Sequence, residues 1–201
     1  MNAARNKLKN KTGASLGEMM VTVLILVLAS GILVTGITLA ANNFEKTFAN
    51  SQAQVLESTL RAAIENELRY TTHIWVDKSF EDDADDGTKN VGFAGFFSKN
   101  FADDYDKMSE FNVIDVDGNP QNHGMIAVGN KPVVSEKSYS HGLKACFSVD
   151  NVVLTKEGSN VKVSKLTCSL EIVNSKGKTL AESTFAVMPI NNVRVDVYSG
   201  S

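Results

Sequence analysis

Between residues 19 and 44 the chain has no charged residue, and before Pro120 it has no proline. The first absence excludes a solvated surface helix over that stretch. The second leaves nothing to break a helix anywhere in the first half of the chain. Cysteine is scarce: Cys146 and Cys168 form no CxxC pair, so no metal or redox cysteine motif is written. The three histidines, His73, His123 and His141, stand singly. No HExxH, no G-x-S-x-G and no phosphate-cradling glycine loop occurs, and no enzyme or cofactor is expected. No basic patch lies beyond the first eleven residues and the net charge is −3, which argues against direct binding of nucleic acid.

What is present is segregated. The first thirteen residues carry Arg5, Lys7, Lys9 and Lys11 and no acid. Residues 19–41, MMVTVLILVLASGILVTGITLAA, follow almost at once. As a helix these positions span roughly 34 Å, about one bilayer core. A secretory signal peptide has a shorter apolar region and ends in an A-x-A-like site. This run instead continues into a polar helix. Basic residues before the span, with only Lys46 soon after it, predict that the N-terminus stays inside and the rest lies outside the cytoplasm. Glu18 sits at the very start of the run. A carboxylate there either snorkels at the interface or has a function, because acids in a bilayer cost a few kcal/mol.

The order of features is specific. A short basic leader, Gly13-Ala14-Ser15-Leu16-Gly17-Glu18, and a long apolar run together resemble the type IV prepilin signature. Gly13 matches the glycine before the cut, and Glu18 the glutamate five residues beyond it. The resemblance implies cleavage between Gly13 and Ala14 by a prepilin peptidase, and N-methylation of Ala14. It also implies partnership with other pilin subunits. Ala14 stands where a large apolar residue is usual, Gly17 where an apolar one is usual, and the family's proline within the span is missing. These departures imply a minor pilin or a pseudopilin. A cut at Gly13 would create an amine that is mostly cationic at neutral pH. In an apolar fibre the Glu18 carboxylate of a neighbouring subunit would be its partner.

Beyond the run, apolar residues recur at Phe44, Phe48, Val55, Leu56, Leu60, Ala63, Ile64 and Leu68, the spacing of an amphipathic helix. Glu57 with Arg61 and Glu65 with Arg69 are acid-before-base pairs at i, i+4. One helix is predicted from about Ser15 to about Tyr70. Its apolar stripe should lie on a head domain rather than form a coiled-coil seam, since the heptad lasts under four repeats.

Residues 75–112 are acidic and irregular and are expected to form a long exposed loop, with a short helix near 99–109. Strands are expected at NVIDV, GMIAV, LKACFSV, NVVLT, VKVSKLTCSLEIV, TLAESTFAVM and VRVDVY, with turns at 117–119, 156–160 and 174–177. The fold class is therefore α+β: a long N-terminal helix, half transmembrane and half amphipathic, packed on an antiparallel β-sheet head. The domain boundaries expected are a leader over 1–13, the membrane or fibre half of the helix over 14–41, its amphipathic half over 42–74, and an extracellular head over 75–201.

Asp82, Asp83, Asp85 and Asp86 have the donors calcium favours, but the EF-hand order is missing and the run reads as solvated. Asp115-Val116-Asp117-Gly118-Asn119 lacks the later glutamate of a calcium loop and reads as a hairpin turn. No metal is expected. Cys146 and Cys168 form a candidate disulfide, worth roughly 3 kcal/mol for a loop of that size. Against it, Cys168 alternates with Leu166, Leu170 and Ile172, whereas Cys146 alternates with Lys144 and Ser148. Either a bulge intervenes or the two do not meet.

The function expected is a structural subunit of a pilus or pseudopilus, held in the cytoplasmic membrane before assembly. The alternative is a signal-anchored extracellular binding protein that stays monomeric.

Overall fold

The computed structural model describes residues 15–77, 88–101, 107–115, 117–118, 121–157 and 160–198. One helix, α1, runs Leu16–Arg69. Ten strands follow. They are β1 His73–Val76, β2 Thr88–Val91, β3 Phe93–Phe96, β4 Phe111–Ile114, β5 Met125–Val128, β6 Lys131–Pro132, β7 Lys144–Glu157, β8 Asn160–Val173, β9 Thr179–Val187 and β10 Arg194–Val197. Two single 3-10 turns, Glu136–Ser138 and Ser140–Gly142, separate β6 from β7. The chain divides into two compact units, one ending at Thr47 and one beginning at Phe48.

In the second unit the helix lays one stripe on the sheets, giving an α+β architecture. Ala53, Leu56, Leu60, Ile64 and Leu68 are buried, at spacings of three and four. They share a core with Ile74, Phe96, Val152, Leu166, Leu170 and Ile172, among others. Each large member contributes about 1.5–3 kcal/mol by leaving water. Val55 lies off the stripe and is 58% exposed. The polar edges of the stripe are tied down too. Arg61 pairs with Glu65 at 2.9 Å and stands over the Phe185 ring at 5.0 Å. Glu57, expected to pair with Arg61, instead accepts a hydrogen bond from the Ser183 hydroxyl on β9. Glu65 also reaches Arg69, at 3.7 Å, as the sequence spacing suggested.

The helix ends where the chain after β9 covers it. The Ile190 N–H donates to the Arg69 carbonyl at 2.9 Å, and the Asn191 amide to the Tyr70 carbonyl at 3.2 Å. Both bonds satisfy carbonyls that the last turn leaves without partners. Glu67 holds the segment after β3, accepting from the Ser98 hydroxyl at 2.7 Å and from the Asn100 amide.

The strands form three sheets, with orders β2-β7-β8-β9, β4-β5-β6 and β10-β1-β3. All ladders are antiparallel except β1 with β10, where His73 to Val76 run parallel to Arg194 to Val197. A parallel pair needs a long connection, and here β2 to β9 all intervene. On its outer side His73 Nε2 lies 2.8 Å from Asp196 Oδ2, and Arg194 shares that carboxylate at 3.1 Å.

Three expectations are corrected. First, residues 88–97 are not loop. They form β2 and β3, with Val91, Phe96 and Phe97 buried. The Phe96 ring stacks on Phe111 at 4.6 Å, which in turn meets Phe147 edge-on at 4.8 Å. Second, no helix occupies the described part of 99–109; residues 99–101 turn, and Ser109 bridges to Phe96. Residues 102–106 lie outside the described residues. Third, LKACFSV and NVVLT are one strand. Asp150 is the extra residue of a bulge between Val149 and Asn151. Its carboxylate accepts from the Ser148 hydroxyl at 2.6 Å and from that of Ser169. One extra residue exchanges the faces of a strand. Leu143 and Ala145 point inward before it, Val152 and Leu154 after it.

Candidate functional site

The start of α1 is built by four residues. Ser15 precedes the first helical turn, and its carbonyl accepts the first intrahelical bond, from the Met19 N–H at 3.1 Å. Its hydroxyl oxygen accepts from the Gly17 N–H at 3.2 Å. In return the Ser15 N–H donates to Glu18 Oε2 at 3.0 Å. This reciprocal arrangement is a variant of the capping box, with the hydroxyl serving the second helical N–H rather than the third, written in the sequence as Ser15-Leu16-Gly17-Glu18. Glu18 also places negative charge in the first turn, where the helix dipole favours it. Gly13 and Ala14 lie outside the described residues.

Every residue from Ser15 to Phe48 is exposed. Between Met19 and Ala41 most of these side chains are apolar: Met20 is 67% exposed, Leu26 67%, Ile32 74% and Ile37 69%. The span holds only four hydroxyls, Thr22, Ser30, Thr35 and Thr38. Each donates to a carbonyl of its own helix, Thr22 to Glu18 and Met19, Ser30 to Leu26, Thr35 to Gly31 and Thr38 to Val34. No side-chain donor between Met19 and Ala41 is left for water. Such a helix meets the demand of a hydrocarbon environment, where every polar group must find its partner internally. By length and composition α1 can cross a membrane, a property that anchors and signal sequences share.

The cysteines do not meet, which corrects the candidate disulfide. Both are free. Across the β7–β8 ladder Cys146 faces Glu171, and Cys168 faces Val149. Three ladder positions separate them, about 10 Å, where a disulfide tolerates about 7 Å at most. The offset is odd, so the side chains also point to opposite faces. The Asp150 bulge lies just beyond this stretch and cannot restore the pairing. Cys168 sits in the core, and burial pushes its thiol up to about 12, with Asp150 and Glu65 adding negative charge nearby. Cys146 is half-buried, and its thiol is raised by burial and then by the Glu171 carboxylate.

The carboxylate clusters bring no metal ligands together among the described residues. Asp82, Asp83, Asp85 and Asp86 lie outside those residues. Asp115 Oδ1 accepts from the Asp117 N–H at 3.0 Å, and Gly118 has φ +85°, the geometry of a tight turn. The histidines are dispersed: His73 on Asp196, His123 3.6 Å from Glu171, and His141 edge-on to Phe48 at 5.2 Å. Sequence reading passed over Ser15, whose signal was the serine three residues before Glu18. It also passed over Asp150, which carries no local bulge signal. Comparison with protein-family models, with curated proteins and with solved structures finds no match for this chain.

Proposed function

We propose that the protein is a type IV pilin-like structural subunit, of the minor-pilin or pseudopilin kind. In this reading a prepilin peptidase cuts between Gly13 and Ala14 and Ala14 is N-methylated. The apolar half of α1 then holds the subunit in the cytoplasmic membrane, N-terminus inside and head outside, until it joins a fibre. The protein acts as a building block and not as an enzyme.

The observation that carries this reading is the exposed apolar first half of α1, with the chain's first acid at its start. A surface this apolar must be covered, by lipid or by neighbouring subunits. Lipid alone gives Glu18 no counter-charge. The cationic terminus of a neighbour does, with an attraction on the order of 4 kcal/mol at about 4 Å and an effective dielectric of 20. Desolvation cancels much of that, so the pair sets register more than it adds stability.

A second reading is a signal-anchored, monomeric extracellular binding protein. The Ser15–Glu18 contact favours it, because a capping box gives the acid a purely local task. The two readings part at one bond. Mass spectrometry of the native N-terminus should find Ala14, N-methylated, in the assembled protein. A terminus that retains the leader would reject the pilin-like reading and leave the anchor.

A further inference from the structure

The head has a second, smaller hydrophobic cluster apart from its main core. Ile114, Met125 and Ala127 form it, and Tyr139 packs on it. Over this cluster opens a cavity of about 310 Å³, between the end of β4, the start of β5, the two 3-10 turns and the start of β7. That volume is at the lower end of the range for small-molecule sites. Ile114, Met125, Leu143 and Tyr139 make an apolar interior. Glu136 and Lys144, both exposed and of opposite charge, stand on its rim.

The cavity depends on unusual backbone. A side chain on Gly124 would begin 2.2 Å from the Ile114 carbonyl oxygen, so only glycine fits there. Gly124 and Ala145 exchange two hydrogen bonds, of 2.9 and 2.7 Å, which fix β5 against β7. On the opposite wall Gly142 has φ +70°, and His141 beside it in the chain, which does not itself line the cavity, has φ +60°. His141 is the one non-glycine residue with positive φ among the described residues. The Tyr139 hydroxyl accepts from the Ile126 N–H at 2.9 Å, which locks its ring into the wall. Backbone held in sparsely populated conformations concentrates at binding sites.

The rim decides the ligand class. Two further polar residues at the mouth are already engaged: Asp115 Oδ1 by the Asp117 N–H, and His123 by Glu171. Glu136 and Lys144 remain to meet a ligand, one for a cationic group and one for an anionic group. We infer that this cavity binds a small zwitterion with an apolar side chain, chemically a hydrophobic α-amino acid. The side chain enters among Ile114, Met125, Leu143 and Tyr139. The ammonium faces Glu136 and the carboxylate faces Lys144.

The test is titration calorimetry on the full chain in lipid nanodiscs, with leucine, methionine and phenylalanine as ligands. Glycine, isoamylamine and isocaproic acid are controls that lack the side chain, the carboxylate and the ammonium in turn. The expected result is saturable binding of at least one apolar amino acid with Kd below about 1 mM, and each control about tenfold weaker or worse. Glu136→Gln and Lys144→Gln should each weaken binding by about tenfold. Both residues are exposed, so thermal melts should match wild type. Absence of saturable binding for all three amino acids would overturn the inference. So would wild-type affinity in both variants, or isoamylamine binding as tightly as leucine.

Discussion

The backbone N–H of Ser15 donates to Glu18 Oε2 at 3.0 Å, so the acid that opens the apolar run also closes the first turn of α1. Glu18 thus has a local task as well as the assembly task proposed for it, and the two can be separated. Ser15→Ala removes only the hydroxyl that accepts from Gly17, a loss of about 1 kcal/mol at the helix end. Glu18→Ala removes the acid itself. In the proposed fibre that leaves a buried ammonium unpaired, a defect of roughly 3–5 kcal/mol. Incorporation should then fall by a factor on the order of a hundred or more. Sheared-fibre and membrane fractions, blotted at a resolution that reports leader cleavage, should show both variants cut. Only Ser15→Ala should reach the fibre fraction. Equal amounts of the two there would leave capping as the sole role of Glu18.

The thiols should react unequally. Cys168 is fully buried and its thiol is raised to about 12, whereas Cys146 is half-buried. A maleimide at neutral pH should add once to the folded protein, at Cys146, and twice after denaturation, as intact mass would show. A protein that takes no label when denatured without reductant would contain the disulfide the structure denies.

Alkali should destabilise the head through two buried acids. Burial raises Cys168 from 9.0 and Tyr139 from 10.0, both to about 12. For each group the unfolded chain loses its proton first, so rising pH favours unfolding. The stability involved is intact below the unfolded value and is lost as pH climbs toward the folded one, by at most about 1.4 kcal/mol per pH unit per group. Denaturant melts should be level up to about pH 9 and fall beyond it. Cys168→Val should flatten most of the first unit of that fall, leaving the share of Cys146. An unchanged slope would show that the thiol is not shielded.

Leu60 and Val55 offer a contrast on one helix. Leu60 is fully buried in the stripe; Val55 is 58% exposed. Leu60→Ala should cost about 2–5 kcal/mol in urea melts followed by circular dichroism. Val55→Ala should stay within about 0.5 kcal/mol. Comparable losses would mean that the helix meets the sheets on another face.

Much of this is legible in the sequence alone. Residues 16–69 carry their helix openly, because an uncharged run followed by apolar residues at spacings of three and four has no strand equivalent. β8 was equally plain, since Leu166, Cys168, Leu170 and Ile172 alternate without interruption. Residues 88–97 were not. β2 and β3 are four residues long, joined by Gly92, and too short for a period to show. Their burial comes from β7 and β1, which are distant in sequence. Val55 shares the helical spacing of the stripe yet faces away, because spacing alone does not say which apolar residue meets a sheet.

The sequence by itself determined the two-part helix, the α+β class and the likeness of residues 13–18 to a processing signature, because these rest on local composition and spacing. Tertiary structure decided what depends on register between strands. It set Cys146 opposite Glu171 and Cys168 opposite Val149, and it turned Asp150 into a bulge that exchanges the faces of β7. It also paired β10 with β1 in parallel and opened the cavity beside Gly124. A strand's partner and register are fixed by which apolar faces can close on one another across the whole head. No window of neighbouring residues contains that information.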